Sequence, residues 1–550
     1  MSNALLDQAP SSTHRADAAG VALLDFASGV ERIKRRLIEG EEIALLDVRE
    51  EAEHATGHPL FASHLALSNL ELHVYARLPR REVPIVTFDA GGDDDRAVRA
   101  AIRLRAFGYS DVTVFEQGVA GWVAGGGEPF IDVNAPSKAF GELVESERHT
   151  PSLSADELKA LIESDTPPVI LDARRFEEYQ NMSIPTGVSV PGAELALRVA
   201  ALAPDPATRV VVNCAGRTRS IIGTQSLINV GIPNRVEALR NGTIGWTLAG
   251  HALEHGQTRR YTDTAAAPEL RAKARKLADR AGVRRADERA LSDFRADTAR
   301  TTYYLDVRSP QEFLAGHLPG FLSAPGGQLV QETEAVASVR GARIVLSDDD
   351  GVRANLTGHW LAQMNWEVWV HDQVEPQRLT AQGAKPPLPA HREVPLVTPR
   401  QLAQWLEDGE PVGVFDLTSS ANYVAGHIPG AAYVQRAELA RLLGADRPER
   451  IVLTCGSSLL AGYAAAELLD LGFDDIAVLD GGNQAWRSEG LPLESGETRL
   501  LSARRDRYRR PYEGHDNPRE AMEAYLEWEF GLVEQLERDG THGFKVLGPA

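Results

Sequence analysis

Two cysteines, Cys214 and Cys455, are the residues of this chain best suited to covalent chemistry. Each follows a short apolar run that predicts a buried strand, and each precedes a helix-like segment. A loop between a strand and a helix surrounds its first side chain with backbone N–H groups, and the helix N-terminus adds partial positive charge. Because both effects stabilise a thiolate, which is the nucleophilic form of cysteine, we predict that both residues are catalytic.

The two cysteine loops differ in charge. Arg217 and Arg219 are suited to holding an anionic sulfur donor, and the predicted binding residues of this loop are Ala215, Gly216, Arg217, Thr218, Arg219 and Ser220. The Cys455 loop is uncharged, so an anionic donor there would need arginines from elsewhere; its predicted binding residues are Gly456, Ser457 and Ser458. A structural or vestigial role for Cys455 remains the alternative.

The loops belong to a fourfold internal repeat. An aspartate ends an apolar run at Asp47, Asp172, Asp306 and Asp416, and eleven residues later come His58, Ser183, His317 and His427. Asp89, Cys214 and Asp348 follow the first three aspartates by 42 residues, and Cys455 follows the fourth by 39. This agreement indicates duplication, with the nucleophile kept in alternate copies.

Strand and helix patterns alternate within each copy, which predicts an α/β fold with a central parallel sheet flanked by helices. The copies lie too far apart to be solenoid units, so we predict four domains with cores of their own. The predicted segments are a flexible tail at 1–20, domains at 21–132, 151–256, 290–376 and 397–496, and a C-terminal basic segment and helix at 497–550. That helix, predicted at 518–538 with Asn517 as cap and Gly540 as stop, is expected to dock on the fourth domain or on a partner subunit.

Composition narrows the class of protein. The formal charge of −20 over 550 residues argues against nucleic acid as a partner. Two cysteines so far apart in the sequence exclude a disulfide scaffold and a cysteine-rich zinc site. The N-terminus lacks the pattern of a signal peptide, and no apolar stretch reaches the length of a membrane span, so we expect a cytoplasmic protein without a membrane partner. The sequence leaves a homodimer open.

Further motifs recur beside the cysteines. They are Asp47-Val-Arg49 with Gly57-His-Pro59, Asp306-Val-Arg308 with Gly316-His-Leu-Pro-Gly320, Gly426-His-Ile-Pro-Gly430, Gly118…Trp122, Asn241-Gly242…Trp246 and Gly481-Gly482…Trp486. With these motifs the chain resembles the rhodanese superfamily of sulfurtransferases in all four copies. The resemblance implies a cysteine that carries a persulfide, and two pairs in chain order, each with an inactive first domain and an active second one.

The resemblance also bears on substrates. The Cys214 loop resembles cationic loops associated with thiosulfate, and the Cys455 loop is similar to the neutral loops of 3-mercaptopyruvate sulfurtransferases. Arg174, in Asp172-Ala-Arg174, is a candidate substrate contact. Two departures are Asn181-Met-Ser-Ile-Pro185 in place of a Gly-His-Ile-Pro motif, and Asp416-Leu-Thr418, which lacks the arginine and weakens the mercaptopyruvate interpretation. The Gly-His histidines are interpreted as structural, tying a loop to a strand end.

The predicted function is transfer of a sulfane sulfur, from thiosulfate or a similar donor to a thiol or cyanide, without a cofactor. Two alternatives stay open. The first is a multi-domain sulfur carrier or scaffold that does not turn over. The second is a related cysteine phosphatase, which places arginine six positions after its cysteine; Ser220 and Ala461 stand there in this chain.

Overall fold

The computed structural model describes residues 15–16, 20–383, 386–445, 448–514 and 517–549. Most of the expected N-terminal tail, 1–14 and 17–19, lies outside the described residues. Four sheets follow one another along the chain, and we number the domains by these sheets. The predicted α/β class with a parallel sheet in each domain is confirmed.

The sheet of domain 1 has five parallel strands at its centre and an antiparallel strand at each edge. Arg15–Ala16 lies in the segment predicted as a flexible tail, but it forms an edge strand that pairs with the next strand. The strands are β1 Arg15–Ala16, β2 Ala22–Leu24, β3 Ile43–Asp47, β4 Ser63–His64, β5 Ile85–Phe88 and β6 Val112–Phe115, and the helices are α1 Phe26–Glu39, α2 Glu51–His54, α3 Leu70–Arg77, α4 Arg96–Ala106 and α5 Gly118–Ala124.

Domain 2 follows a connecting helix, α6 Ala135–Arg148, and contains Cys214. Its five strands are all parallel, in the order β7-β11-β10-β8-β9: β7 Ser152–Leu153, β8 Val169–Asp172, β9 Val188–Ser189, β10 Val210–Asn213 and β11 Val236–Leu239. Its helices are α7 Ala155–Ile162, α8 Phe176–Asn181, α9 Leu195–Leu202, α10 Thr218–Asn229 and α11 Gly242–Leu248.

Domain 3 is joined to domain 2 by α12 Pro268–Arg280. This helix ends at Arg280, because the backbone turns at Gly282 with φ +85° before a short strand. The strands are β12 Arg284–Arg285, β13 Thr302–Asp306, β14 Leu322–Ser323, β15 Val339–Arg340, β16 Arg343–Ser347 and β17 Glu367–His371, and the helices are α13 Glu288–Ala296, α14 Pro310–Ala315, α15 Gly326–Gln331, α16 Thr333–Val336 and α17 Arg353–Gln363. β15 leaves its own domain and pairs with β3 of domain 1.

Domain 4, with Cys455, repeats the strand order of domain 2. Its strands are β18 Leu396–Val397, β19 Val412–Asp416, β20 Ala432–Tyr433, β21 Arg450–Thr454 and β22 Ile476–Leu479, and its helices are α18 Pro399–Glu407, α19 Ser420–Ala425, α20 Arg436–Ala445, α21 Leu459–Asp470 and α22 Gly482–Ser488. The single predicted C-terminal helix is two helices that divide at Gly531, α23 Arg519–Phe530 and α24 Leu532–Asp539. Pro518 is the N-cap in place of Asn517, and Gly540 is the predicted stop.

Each domain that contains a cysteine packs against a cysteine-free domain other than the one that precedes it in the chain. Trp360 of domain 3 donates to Ser226 of domain 2 at 2.8 Å. The backbone N–H of Ala437 in domain 4 donates to Ser68 Oγ of domain 1 at 3.2 Å, and Arg436 forms an ion pair with Glu71 there. Domain 2 therefore contacts domain 3, and domain 4 contacts domain 1, which differs from the chain-order pairs that the family resemblance implies.

Candidate active sites

Cys214 is the residue that follows β10, a central strand of its sheet, and its side chain is buried. Its Sγ lies 3.5 Å from Ser220 Oγ, and that hydroxyl donates to the carbonyl of Arg217 at 2.7 Å. The carbonyl oxygen of Cys214 accepts the N–H of Thr243 at 3.0 Å. The first turn of α11 thus holds the loop from outside, while Ser220 contacts the sulfur.

Gly242 permits this close approach of α11 to the loop. It has φ +53°, and a Cβ atom there would lie 2.3 Å from the carbonyl oxygen of Cys214. Gly482 has φ +60° and would place a Cβ atom 2.3 Å from the carbonyl oxygen of Cys455. The glycine of the recurrent motif before each tryptophan is therefore required by both cysteine loops.

The thiol of Cys214 is less acidic than the sequence predicts. Burial raises its pKa, and the positive charge of Arg219 and the hydrogen bond with Ser220 offset this only in part. Burial likewise raises the pKa of Cys455. The prediction that each loop stabilises a thiolate is therefore wrong, because burial has the larger effect and the neutral thiol predominates at pH 7.

The two arginines of the Cys214 loop have different surroundings. Arg217 is buried and donates to both carboxylate oxygens of Glu142, on α6, at 2.7 and 2.8 Å. Arg219 donates to both oxygens of Glu178 at 2.8 Å and lines a cavity of about 610 Å³. Of the two, only Arg219 lines this cavity, whereas Arg217 joins the loop to α6.

Arg174, the other predicted contact, is also held by its own domain. It donates to Asp172 at 2.9 and 2.7 Å and to the carbonyl of Met182 at 2.6 Å. It lines the same cavity as Arg219. Thr218 begins α10 and is buried with Ala215.

The C-terminal helix α23 covers the Cys214 loop. Its Glu529 and Tyr525 both approach Gly216, at 3.2 Å from the point where a Cβ atom would stand. Docking on the fourth domain, as expected from the sequence, is therefore wrong: the helix contacts α6 and α11, on the domain 2 side. The apolar face of the helix was visible in the sequence, but no sequence signal identified the surface that it covers.

Cys455 follows β21 and lies in a nest of main-chain amides, as predicted. The N–H groups of Ser457, Leu460 and Ala461 act on its sulfur to lower the thiol pKa, against the larger effect of burial. Its carbonyl oxygen accepts the N–H of Asn483 at 2.7 Å. Backbone donors of this kind stabilise a sulfur anion without any charged side chain.

Cys455 also lines a cavity of about 310 Å³ between domains 4 and 1. Gly456 and Ser457 contribute from its own loop, while Ser458, with φ +65°, precedes α21. Glu50 and Ser68 contribute from domain 1. These domain 1 residues were missed in the sequence, because nothing in it indicates that the first copy faces the fourth.

The Gly-His histidines have the predicted structural role. His58 contacts the carbonyls of Pro59 at 2.8 Å and Asp132 at 3.0 Å, and His427 contacts the carbonyl of Tyr423 at 2.7 Å. His317 likewise contacts the carbonyl of Phe313 at 2.9 Å, so each of the three histidines contacts the main chain.

Comparison with known proteins identifies the family. The model of the rhodanese-like domain matches residues 30–125, 154–249, 290–373 and 398–489. The chain belongs to the rhodanese family. The predicted resemblance in four tandem copies is thus confirmed, as is the prediction of a rhodanese-type enzyme.

Two proteins similar to this rhodanese are named thiosulfate sulfurtransferase. The crystal structure of thiosulfate sulfurtransferase from Pseudomonas aeruginosa is 59% identical, with a TM-score of 0.91, and the match covers 94% of this chain and 99% of that chain. Thiosulfate sulfurtransferase GlpE from Pseudoalteromonas translucida is 33% identical over 90 residues, which are 16% of this chain and 86% of that protein. In the described part of this rhodanese, no helix combines the length and apolar character needed to span a bilayer.

Proposed function

We propose that this rhodanese is a thiosulfate sulfurtransferase that passes sulfane sulfur to cyanide or a thiol through a persulfide on Cys214, and that Cys455 carries a second persulfide. The observation that carries the proposal is the same arrangement at both cysteines. A strand ends, a short loop leads into a helix, and a glycine permits a second helix to contact that loop. The 59% identical relative named thiosulfate sulfurtransferase supports thiosulfate as donor.

The reaction follows from the residues around Cys214. Its thiolate attacks the outer sulfur of thiosulfate, the sulfur–sulfur bond of the donor breaks, and the electron pair leaves with sulfite. The positive charge of Arg219 acts on the Cys214 thiol, and its side chain lines the cavity, so we assign to Arg219 the role of offsetting the charge of the donor. Cyanide then attacks the outer sulfur of the persulfide, which gives thiocyanate and returns the Cys214 thiolate.

The test is steady-state turnover of thiosulfate and cyanide by Cys214→Ser and Cys455→Ser variants. We expect Cys214→Ser to lose most of the activity and Cys455→Ser to retain most of it. Undiminished activity of Cys214→Ser would overturn the assignment.

A sulfur carrier that does not turn over is the second candidate, favoured by the cover of α23 over the Cys214 loop. A carrier takes up one sulfur per cysteine and then stops. Release of sulfite beyond the amount of protein, in the presence of cyanide, distinguishes an enzyme from a carrier.

A further inference from the structure

The cavity above Cys455 has walls from two domains. Cys455, Gly456 and Ser457 form one side, and Glu50 and Ser68 of domain 1 form another. Glu50 is 3% exposed, and its carboxylate accepts the hydroxyl of Ser68. The same hydroxyl accepts the N–H of Ala437 of domain 4, so the carboxyl group of Glu50 is fixed across the domain boundary.

Charges around this cavity disfavour an anionic substrate. Asp506 lines it together with Glu50. Arg436, which also lines it, is engaged by Glu71 and Glu467. Burial lowers the pKa of His64 to about 4, so this histidine is neutral at pH 7. Among the described lining residues, no cation is therefore left to balance an incoming anion.

We propose that domain 1 completes the Cys455 site, and that Glu50 accepts the proton of an uncharged or cationic small thiol that discharges the Cys455 persulfide. This inference deepens the proposed function and rests on it. It gives the cysteine-free first domain a direct part in the chemistry of the fourth.

The step balances as follows. The acceptor thiol gives its proton to the Glu50 carboxylate, and the resulting thiolate attacks the outer sulfur of the protonated persulfide. A new sulfur–sulfur bond forms on the acceptor, while the bond between the outer sulfur and Cys455 Sγ breaks. The electron pair stays on Sγ, where the N–H groups of Ser457, Leu460 and Ala461 surround the thiolate. The products are the acceptor hydropersulfide, the Cys455 thiolate and protonated Glu50.

The acidity of Glu50 suits this role. Burial raises its pKa to about 7, where a carboxylate both accepts and returns a proton at neutral pH. A thiol with an ordinary pKa is only a few per cent ionised at this pH, so a base beside it accelerates attack. The titratable and charged groups that face Glu50 or share its cavity are Arg96, Glu53, Asp506, His64, Tyr433 and Arg436.

The experiment uses the full chain with Cys214→Ser, so that Cys455 alone carries sulfur. Inorganic polysulfide, in an excess large enough to overcome the unfavourable charge of this anion in the cavity, loads Cys455. The excess is removed, and discharge by 2-mercaptoethanol is followed by quenched-flow intact mass spectrometry from pH 6 to 8.5. We compare Glu50→Gln with the unsubstituted residue and with Glu41→Gln, a control at an exposed glutamate of the same domain. Sulfite, which needs no deprotonation at pH 8.5, is the second acceptor.

We expect Glu50→Gln to slow discharge to 2-mercaptoethanol at pH 7 by about tenfold or more, and to lose the rise in rate around pH 7. Discharge to sulfite should be as fast as before or faster, because a negative charge has been removed. Equal rates with 2-mercaptoethanol, or equal slowing with both acceptors, would overturn the role of Glu50 while leaving the persulfide intact. Failure of Cys455 to take up sulfur from polysulfide would overturn both this inference and the second persulfide of the proposed function.

Discussion

Oε2 of Glu529 lies 3.2 Å from the point where a Cβ atom on Gly216 would stand, so the C-terminal helix places a carboxyl group against the loop that begins at Cys214. In the described part of the chain this oxygen has no hydrogen-bond partner, whereas Oε1 accepts the hydroxyl of Tyr525 at 2.9 Å. Burial raises the pKa of Glu529 from 4.5 to about 8. Docking of α23 over the Cys214 loop therefore favours the protonated form of Glu529.

The first prediction concerns the pH dependence of this cover. A docked helix keeps a proton on Glu529 that a detached helix releases, so docking is fully stabilised below pH 4.5 and this contribution is lost as pH rises through about 8. The difference amounts to roughly 5 kcal/mol at most. Hydrogen exchange of residues 519–530, corrected for intrinsic rates, should show protection that falls from pH 6 to 9 in the native chain and much less in Glu529→Gln. The same fall in both proteins would contradict the role of the proton.

The second prediction concerns the ion pair of Arg217 and Glu142. Arg217→Met alone should destabilise its domain by about 3 kcal/mol, because the buried Glu142 carboxylate loses its partner. Arg217→Met with Glu142→Leu should recover most of that loss and retain thiosulfate turnover. Urea unfolding followed by tryptophan fluorescence measures the first effect. A double variant that is stable but inactive would instead assign Arg217 to substrate binding.

The third prediction uses two glycines with positive φ. Gly242→Ala should destabilise the chain and lower turnover at Cys214 by more than tenfold, since the added methyl group would lie 2.3 Å from the carbonyl oxygen of Cys214. Gly250, with φ +82°, has open space around it, so Gly250→Ala should cost only the backbone strain of about 1 kcal/mol. Thermal unfolding and turnover are compared for the two variants. Equal effects would mean that the contact with the loop is unimportant.

The fourth prediction concerns the reactivity of the two thiols. Cys455 lines a cavity and Cys214 lies under α23, so iodoacetamide should label Cys455 first at pH 7. Because burial raises the pKa of both thiols, both labelling rates should still be rising at pH 9. Peptide mass spectrometry over time measures each site. Faster labelling of Cys214 would show that the helix does not protect it.

Local structure was predictable from the sequence where the signal is local. The apolar runs that end at Asp47, Asp172, Asp306 and Asp416 form the strands β3, β8, β13 and β19 of the structure, because continuous apolar runs suit strands buried on both faces. The cysteine loops, their position at strand ends and the four domains follow from the same patterns.

The surroundings of the two cysteines could not be predicted, because they depend on contacts between segments far apart in the sequence. Glu142, Glu529 and Glu50 reach the two cysteine loops from a connecting helix, the C-terminal helix and another domain. The expected effect of the loop amides and the helix N-terminus also misled the prediction of thiol acidity, since burial has the larger effect at Cys214 and Cys455. Neither the burial of the two thiols nor the approach of these glutamates can be predicted from the sequence around each cysteine.

Rapid-quench intact mass spectrometry with thiosulfate tests the central claim most directly. The native chain should gain the mass of a sulfur atom within one turnover and lose it on addition of cyanide, and the Cys455→Ser chain should do the same. The Cys214→Ser chain should show neither that gain nor release of thiocyanate at the native rate. A Cys214→Ser chain that still gains this sulfur and turns over at the native rate would contradict the account.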